Sequence, residues 1–302
     1  MVRQAFGGAW TEAKLAAVQN YLHSYVTIMR NNERASHFRI TYLDGFAGSG
    51  RRYASGQPEA YDHRSIDLFG DFHAAETDAF YRGSPCRALE VEPPFDQYVF
   101  IETKREHVQE LERLVADFPE REPAVRIVQR NANAVIPAWC AGMAHNERAL
   151  VFLDPYGMQV DWSTVEAIAR TKKIDLWVLV PLGQAIIRLL TQQQPPEEWA
   201  QALTRFFGTD GWREHFYVTR QAEGLFGEYE QEVRDVDFDR ITKYVVDRLG
   251  TVFAQVLDEP LLLRNSTGVP IYLLCFAASN PVGAPTAVKI ARYIARKLNR
   301  GQ

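Results

Sequence analysis

The sequence has little cysteine: Cys86, Cys140 and Cys275 are the only three in 302 residues. They are far apart and form no C-x-x-C pair, so neither a disulfide framework nor a structural zinc site is expected, and a reducing cytoplasm is the expected location. The seven histidines show no metal-ligand spacing, so no metal centre is expected.

The sequence also lacks an excess of positive charge and long apolar runs. Its formal net charge is −4, which argues against a strongly basic nucleic-acid binder while leaving local basic patches open. No apolar run is long enough to span a bilayer and no signal peptide is visible, so no association with a membrane is expected. A hydrophobic content of 46% is ordinary for a globular protein, and we expect residues 1–302 to form a single domain.

Strands and helices alternate through the middle of the chain. The predicted strands are Phe38–Leu43, Tyr98–Glu102, Ala124–Gln129, Leu150–Asp154 and Ile174–Pro181, and predicted helices separate the last four. The strands are nearly continuous apolar runs, as expected where helices cover both faces of a sheet. This alternation predicts a doubly wound, parallel α/β sheet.

Three other segments complete the predicted fold. Residues 51–82 are irregular and too long for a simple connection, so we expect a lid or a binding loop. Residues 190–236 are interpreted as a helical insertion after the fifth strand. Leu261–Arg264 and Ile271–Ala277 flank a tight turn and should pair antiparallel. The prediction is a mainly parallel, seven-stranded, Rossmann-like sheet of the class I methyltransferase type, with its last strand antiparallel.

The most informative motif follows the first predicted strand. It has the pattern D-x-F-x-G-x-G, by which many methyltransferases hold S-adenosylmethionine (SAM). Glycine lets the backbone turn sharply and approach a ligand, and ligands of open α/β sheets bind at the carboxyl ends of strands. A carboxylate here could meet the cationic end of SAM; the alternative is a tight structural turn. The candidate cofactor-binding residues of this motif are Asp44, Gly45, Phe46, Gly48 and Gly50.

Polar residues also follow the second and third predicted strands. Glu102 ends the second strand, where an acid can accept hydrogen bonds from ribose hydroxyls; capping the next helix is the alternative. Asn131 and Asn133 follow the third strand. An asparagine there could bind the adenine amine, or it could form a turn or a helix N-cap. We assign Glu102 and Asn131 to the cofactor site.

The fourth predicted strand ends in Asp154-Pro-Tyr-Gly157. Amino-methyltransferases have D-P-P or N-P-P followed by an aromatic residue at this point. A conjugated amine is a poor nucleophile, and acceptors for its N–H groups increase the electron density on nitrogen. The predicted catalytic residues are therefore Asp154 and the Pro155 carbonyl as acceptors, with Tyr156 stacking on a planar base. The alternative is a turn in which Asp-Pro ends the strand.

These motifs together resemble the three-Cys-motif partner (TcmP) family, over nearly the whole chain. The shared residues are Trp10, Lys14-Leu15, Tyr21-Leu22, Tyr42–Gly48, Gly83–Pro85, Phe100–Glu102, Phe152–Gly157, Asp175–Trp177, Pro270–Tyr272 and Phe276-Ala277. The resemblance implies a SAM-binding fold and a separate partner protein that carries the three cysteines, but no substrate.

This chain departs from the family after the third strand. It has Arg130-Asn-Ala-Asn133 where the family usually has Gly-Asp-x-Asn. Asp154-Pro-Tyr-Gly157 is similar to the D-P-F-G of tRNA guanine-N2 dimethyltransferases, which slightly favours RNA over DNA as the substrate.

Two hypotheses follow from the sequence. The first is a SAM-dependent methyltransferase acting on an exocyclic amine of a nucleic-acid base. The second is a SAM-binding or catalytically vestigial protein of the same fold that works with its partner as an interaction or defence module. A NAD-type oxidoreductase is disfavoured because the third glycine of the dinucleotide motif is missing.

Overall fold

The computed structural model describes residues 8–52, 81–224 and 227–299. The strands are β1 (Arg39–Asp44), β2 (Arg51–Arg52), β3 (Tyr81–Arg82), β4 (Gln97–Glu102), β5 (Val125–Gln129), β6 (Glu147–Leu153), β7 (Ile174–Pro181), β8 (Tyr217–Gly224), β9 (Gly227–Arg234), β10 (Gln255–Val256), β11 (Leu261–Arg264) and β12 (Pro270–Ala278).

The helices lie between these strands and at both ends of the described chain. They are α1 (Gly8–Asn31), α2 (Ser84–Leu89), α3 (Arg105–Ala116), α4 (Ala132–Ala141), α5 (Trp162–Arg170), α6 (Ile187–Leu189), α7 (Glu197–Phe207), α8 (Trp212–Phe216), α9 (Phe238–Gly250) and α10 (Ala284–Asn299). A π-helical turn, Leu182–Ile186, precedes α6. None of the helices in the described ranges is long and apolar enough to cross a membrane.

The main sheet has the order β10–β12–β7–β6–β1–β4–β5. The five strands from β7 to β5 are parallel to one another. From β1 the chain moves outward to β4 and β5, then crosses to the other side of β1 to form β6 and β7. This confirms the predicted doubly wound parallel sheet, and it places the reversal of strand order between β1 and β6, where ligands of such folds bind.

The last strand runs antiparallel, as predicted. β12 pairs antiparallel with β7 on one side and with β11 on the other. β10 pairs with residues 277–278 of β12, on the same outer side as β11. The sheet has eight strands rather than the predicted seven because β10 and β11 share this one edge position. The order is that of the predicted Rossmann-like class I methyltransferase type.

Successive residues of the central strands alternate between two apolar layers. Leu43, Ile101 and Leu153 face the layer formed with α4, α5, α7 and α9. Tyr42 and Phe152 face the other layer, formed with α1, α2, α3 and α10. Burial on both faces explains why the strand sequences are apolar runs rather than alternating patterns.

The insertion after β7 is only partly helical, which corrects the sequence interpretation. Residues 197–207 and 212–216 are helical, but residues 217–224 and 227–234 pair as an antiparallel hairpin. The pairing ends at Gly224 opposite Gly227, so these two glycines flank a hairpin turn instead of interrupting a helix. Of the expected 51–82 lid, β2 and β3 pair with each other, and residues 53–80 lie outside the described residues.

Helix α1 is anchored to the sheet by a buried hydrogen bond. Tyr21 Oη donates to Asp175 Oδ2 at 2.8 Å, at the amino end of β7. The Tyr21 ring also packs on Trp177 and Phe276, with centroids 5.6 and 4.7 Å away. Burial raises the pKa of Asp175 to about 6, and the hydrogen bond from Tyr21 opposes that rise. The bond therefore holds α1 across one face of the sheet.

Replacing Tyr21 by phenylalanine should destabilise the protein by about 1–3 kcal/mol, because a buried carboxyl loses its donor. Tyr25→Phe is the matched control, since Tyr25 lies one turn away on the same helix and is also buried. We expect the control to cost less than about 0.5 kcal/mol. Urea denaturation at pH 8 measures both, and equal losses in the two variants would show that the hydrogen bond contributes nothing specific.

Candidate functional site

The carboxyl ends of three neighbouring parallel strands carry acidic residues. Asp44 ends β1 and Glu102 ends β4, while Asp154 directly follows β6. Asp44 pairs in register with Phe100 and with Phe152, so Glu102 and Asp154 each lie two residues beyond it. Because side chains alternate along a strand, all three acids belong to the face covered by α1. The predicted acidic residues are thus brought together at one edge and on one face.

The glycine-rich turn after β1 has the backbone that its sequence predicts. Gly48 and Gly50 have φ angles of +58° and +69°, in the left-handed region that glycine adopts without strain. A Cβ on Gly50 would lie 2.5 Å from Leu114 Cδ2, whereas a Cβ on Gly48 would meet no atom of the described residues within 4 Å. Gly50 therefore packs against α3. Gly48 leaves open space where a ligand can approach the backbone.

Asp44 is fully buried, at 0% exposure, beneath this turn. Its Oδ1 accepts from the Phe46 N–H at 3.1 Å, and its Oδ2 accepts from Tyr42 Oη at 3.2 Å. Ser84, at the start of α2, also bonds to it. These partners are all neutral. Asp44 thus holds the turn closed by its hydrogen bonds.

The electrostatic state of Asp44 is unusual for an aspartate. Burial and, to a smaller extent, the negative charge of Asp154 raise its pKa to about 7, against the lowering effect of the hydrogen bonds from Ser84, Phe46 and Tyr42. A carboxyl with this pKa is partly protonated at neutral pH. A positive charge close to such a carboxyl favours its ionised form.

Glu102 has its carboxylate held by the chain that follows it. Its Oε1 accepts from the N–H groups of Thr103 and Lys104 at 2.7 and 2.9 Å, and His107 Nδ1 lies 3.5 Å from Oε2. Burial alone would raise the pKa of Glu102, but His107 and the two N–H groups outweigh it and hold the pKa at about 2. Glu102 therefore binds the two N–H groups that precede α3 through Oε1 and stays ionised, with Oε2 facing His107.

The two asparagines after β5 have separate structural roles. Asn131 is the N-cap of α4, where its side chain accepts from the Asn133 N–H at 2.8 Å. Asn133 Nδ2 donates to the Gln159 carbonyl, and its Oδ1 accepts from Asp161 N and Thr164 Oγ1. The predicted N-cap is thus Asn131, which is exposed. Its adenine contact stays a prediction, while Asn133 ties the β5 and β6 loops together.

Asp154 is paired with a lysine that the sequence interpretation did not assign to the site. Lys14 Nζ donates to Asp154 Oδ2 at 2.5 Å, and the Lys14 side chain is only 7% exposed. The ammonium also lies 5.2 Å from the centre of the Trp10 ring, and that ring stacks on Tyr272 at 5.0 Å. The carboxylate thus has one oxygen occupied by a cation, and α1 forms a wall of the site.

The rest of the Asp154 turn presents an aromatic ring. Pro155 is buried, whereas Tyr156 is 42% exposed. The Tyr156 N–H donates to Gln159 Oε1 at 3.2 Å, and Gly157 has a φ angle of +67°. The turn therefore places an accessible ring two residues after the Asp154 carboxylate. That arrangement suits a planar ligand that stacks and also donates N–H bonds.

The role of Lys14 had a signal in the sequence. Lys14 lies four residues before Val18 and eight before Leu22, so it shares their core-facing side of α1. A lysine on a buried face needs an anionic partner. The sequence does not say which anion that is, because the partner lies 140 residues away.

Within the described ranges, no group of three or more His, Cys, Asp or Glu side chains could hold a metal ion.

Comparisons with known proteins found similarity to solved structures only. No protein-family model matches the chain, and no curated protein matches it. Trm1 from Pyrococcus horikoshii, solved with S-adenosyl-L-methionine, is similar at TM-score 0.46 and 12% identity, over 94% of this chain and 60% of that one. Protein LPL1258 from Legionella pneumophila has TM-score 0.42 and 16% identity, over 82% and 93% of the two chains.

A third similar structure is a putative S-adenosylmethionine-dependent methyltransferase from Listeria monocytogenes. Its TM-score is 0.35 and its identity 12%, over 87% of this chain and 97% of that one. At these identities and TM-scores the likenesses carry no conclusion about what this chain does, so its function is inferred from its own geometry.

The buried state of Asp44 predicts how stability depends on pH. Its folded pKa of about 7 exceeds the ordinary value of 3.8, so the folded protein holds this proton more tightly than the unfolded chain. The resulting stabilisation is complete below about pH 4 and is lost as the pH rises through about 7. Asp44→Asn has no such proton to lose.

We expect the stability of the wild type relative to Asp44→Asn to fall by on the order of a few kcal/mol between pH 4 and pH 8. Urea denaturation across this range measures it. The matched control is Asp239→Asn, which changes an exposed carboxylate in the first turn of α9. Parallel profiles for wild type and Asp44→Asn would contradict the raised pKa.

Proposed function

We propose that this protein is a SAM-dependent methyltransferase that methylates an exocyclic amine of a nucleic-acid base. The observation that carries the proposal is the meeting of two motifs at one edge of the sheet. The first motif is the glycine turn that follows β1. The second follows β6, the strand that pairs with β1, and contains Asp154 and the exposed ring of Tyr156.

The residues around the β1 turn suit the parts of SAM. Among the described residues, nothing lies within 4 Å of a Cβ built on Gly48, and the partners described for the Asp44 carboxyl are neutral. Glu102 stays ionised, and in this proposal its Oε2, which lies 3.5 Å from His107 Nδ1, accepts from the ribose hydroxyls. Bound SAM supplies a methyl group on a sulfonium, which an uncharged amine can attack. Gly45, Phe46, Gly50 and Asn131 complete the proposed cofactor site.

The Asp154 turn suits the methyl acceptor. One Asp154 oxygen is held by Lys14, which leaves the other to accept an N–H of the amine. Such an acceptor increases electron density on the nitrogen without removing a proton first. Tyr156 supplies the stacking surface, and the Pro155 carbonyl is the second proposed acceptor. A base in a duplex would have to be extruded to reach this position. RNA is slightly favoured over DNA, on the similarity of Asp154–Gly157 to D-P-F-G.

A second function is favoured by a different observation. The β8–β9 hairpin pairs with no other strand in the described part of the chain, and an isolated hairpin is marginally stable in water. Its base is held by bonds such as Arg234 N–H to the Gln192 carbonyl at 3.0 Å, while Arg220, Gln221, Tyr229 and Glu230 further along it are exposed and could contact another protein. The alternative is thus a SAM-binding or catalytically vestigial module that acts with a partner, the proposed one being the three-Cys-motif protein.

The cofactor assignment predicts micromolar binding of S-adenosylhomocysteine, measured by calorimetry. Glu102→Gln should weaken it about tenfold or more, because a charged acceptor for the ribose hydroxyls is lost, while the amide oxygen can still accept from the Thr103 and Lys104 N–H groups. Glu166→Gln is the matched control, since Glu166 on α5 is also a hydrogen-bonded carboxylate, with Trp162 and Arg170 as its partners. Absence of binding in the wild type would remove the enzyme hypothesis and leave the partner-dependent module.

The catalytic assignment predicts that Asp154→Ala abolishes methyl transfer while S-adenosylhomocysteine still binds. The measurement is transfer of a tritiated methyl group from SAM to total transfer RNA and, separately, to a mixed-sequence single-stranded DNA. Tyr156→Leu should reduce transfer about tenfold or more through loss of stacking. Full turnover by Asp154→Ala would remove Asp154 from the mechanism.

A further inference from the structure

Lys14 is the buried cation of the candidate site. Its side chain is 7% exposed, and its ammonium bonds to Asp154 Oδ2 at 2.5 Å. Burying a lysine costs free energy unless a close anion compensates it. Helix α1 is already held to the sheet by Tyr21 and Asp175, about two turns further along the helix. The buried ammonium of Lys14 is therefore not needed to hold α1, and it contacts the proposed catalytic carboxylate of Asp154.

The charge of Lys14 has consequences beyond Asp154. Asp44 and Asp154 face the same side of the sheet, and the charge of Asp154 makes Asp44 harder to ionise. The positive charge of Lys14, bonded to Asp154 Oδ2, offsets the negative charge of Asp154. Among the described residues, the other charged or titratable groups on the surrounding elements include Tyr42 on β1, the Glu102–His107 pair between β4 and α3, the Glu12–Arg87 pair between α1 and α2, and the Arg82–Glu90 pair between β3 and α2.

We propose that Lys14 is a positioning residue of this site, which holds one oxygen of Asp154, leaves the other for the methyl acceptor, and lets Asp44 and Asp154 be ionised together. The inference rests on the proposed function. It assigns different tasks to two neighbouring carboxylates. Asp154, already paired with a cation, serves the neutral acceptor amine, and Asp44, which has neutral partners, responds to the positive charge of the cofactor.

The test is calorimetric binding of S-adenosylhomocysteine from pH 6 to pH 9. In the wild type, affinity should rise with pH through about 7, where Asp44 ionises, and then level off. Lys14→Met leaves Asp154 uncompensated, so we expect its midpoint to move upward by on the order of half to one pH unit. Lys14→Met combined with Asp154→Asn removes both charges and should return the midpoint to the wild-type value. Lys14→Arg, which keeps the charge, should show the wild-type midpoint.

Lys173→Met is the matched control. Lys173 also has its ammonium bound within the protein, to the carbonyls of Met143 and Ala144 at 3.0 Å, but it lies before β7 at the opposite edge of the sheet. Its removal should leave the midpoint unchanged.

The outcomes separate the inference from the proposed function. If the wild type binds and the Lys14→Met midpoint stays in place, Lys14 only fastens α1 and the inference is overturned. A midpoint that moves in Lys14→Met but is not restored when Asp154→Asn is added also overturns the inference, because the effect of Lys14 would then not depend on the charge of Asp154. A wild type that binds at no pH overturns the proposed function itself.

Discussion

The rest of this structure depends on a parallel sheet that is buried on both faces. Because α-helices cover each face, strand residues such as Tyr42 and Leu43 lie in two different apolar layers, and neither layer has room for an unpaired charge. Charged side chains of the central strands β1, β4, β6 and β7 are therefore found only at or near the strand ends. The consequence is visible at the carboxyl edge, where Asp44, Glu102 and Asp154 occupy neighbouring strands and each has hydrogen-bond partners.

The charges at this edge depend on a helix that comes earlier in the chain. Lys14 lies on α1, while the carboxylate that it holds follows β6. The same helix is fixed at the opposite edge by Tyr21 and Asp175, so α1 spans the sheet face between two carboxyl groups. A displacement of α1 would leave one of these groups buried without its partner, which couples the folding of the sheet face to the electrostatics of the site.

Much of the fold and of the acidic edge could be predicted from the sequence, because both have local signals. Apolar runs mark the strands, and Asp44, Glu102 and Asp154 were assigned from the motifs at the ends of those runs. The hairpin in the insertion was missed because residues 190–236 were interpreted as helical, and only the strand pairing shows that residues 217–224 and 227–234 are extended. The Lys14–Asp154 pair was missed for a related reason. A lysine at a core-facing position indicates an anionic partner, but the sequence does not show which residue that is when the two lie 140 residues apart.

Asn133 shows how the two halves of the site are joined. It binds the Gln159 carbonyl, the Asp161 N–H and the Thr164 hydroxyl, and thereby fastens the loop after β5 to the loop that carries Asp154. Asn131, which caps α4 two residues earlier, accepts from the N–H of Asn133. A ligand that contacts Asn131 would thus act on the same hydrogen-bonded unit that supports the Asp154 turn. Because β1 and β4 lie between β5 and β6 in the sheet, strand pairing does not join these two loops directly, and the cross-loop bonds of Asn133 fix the position of one relative to the other.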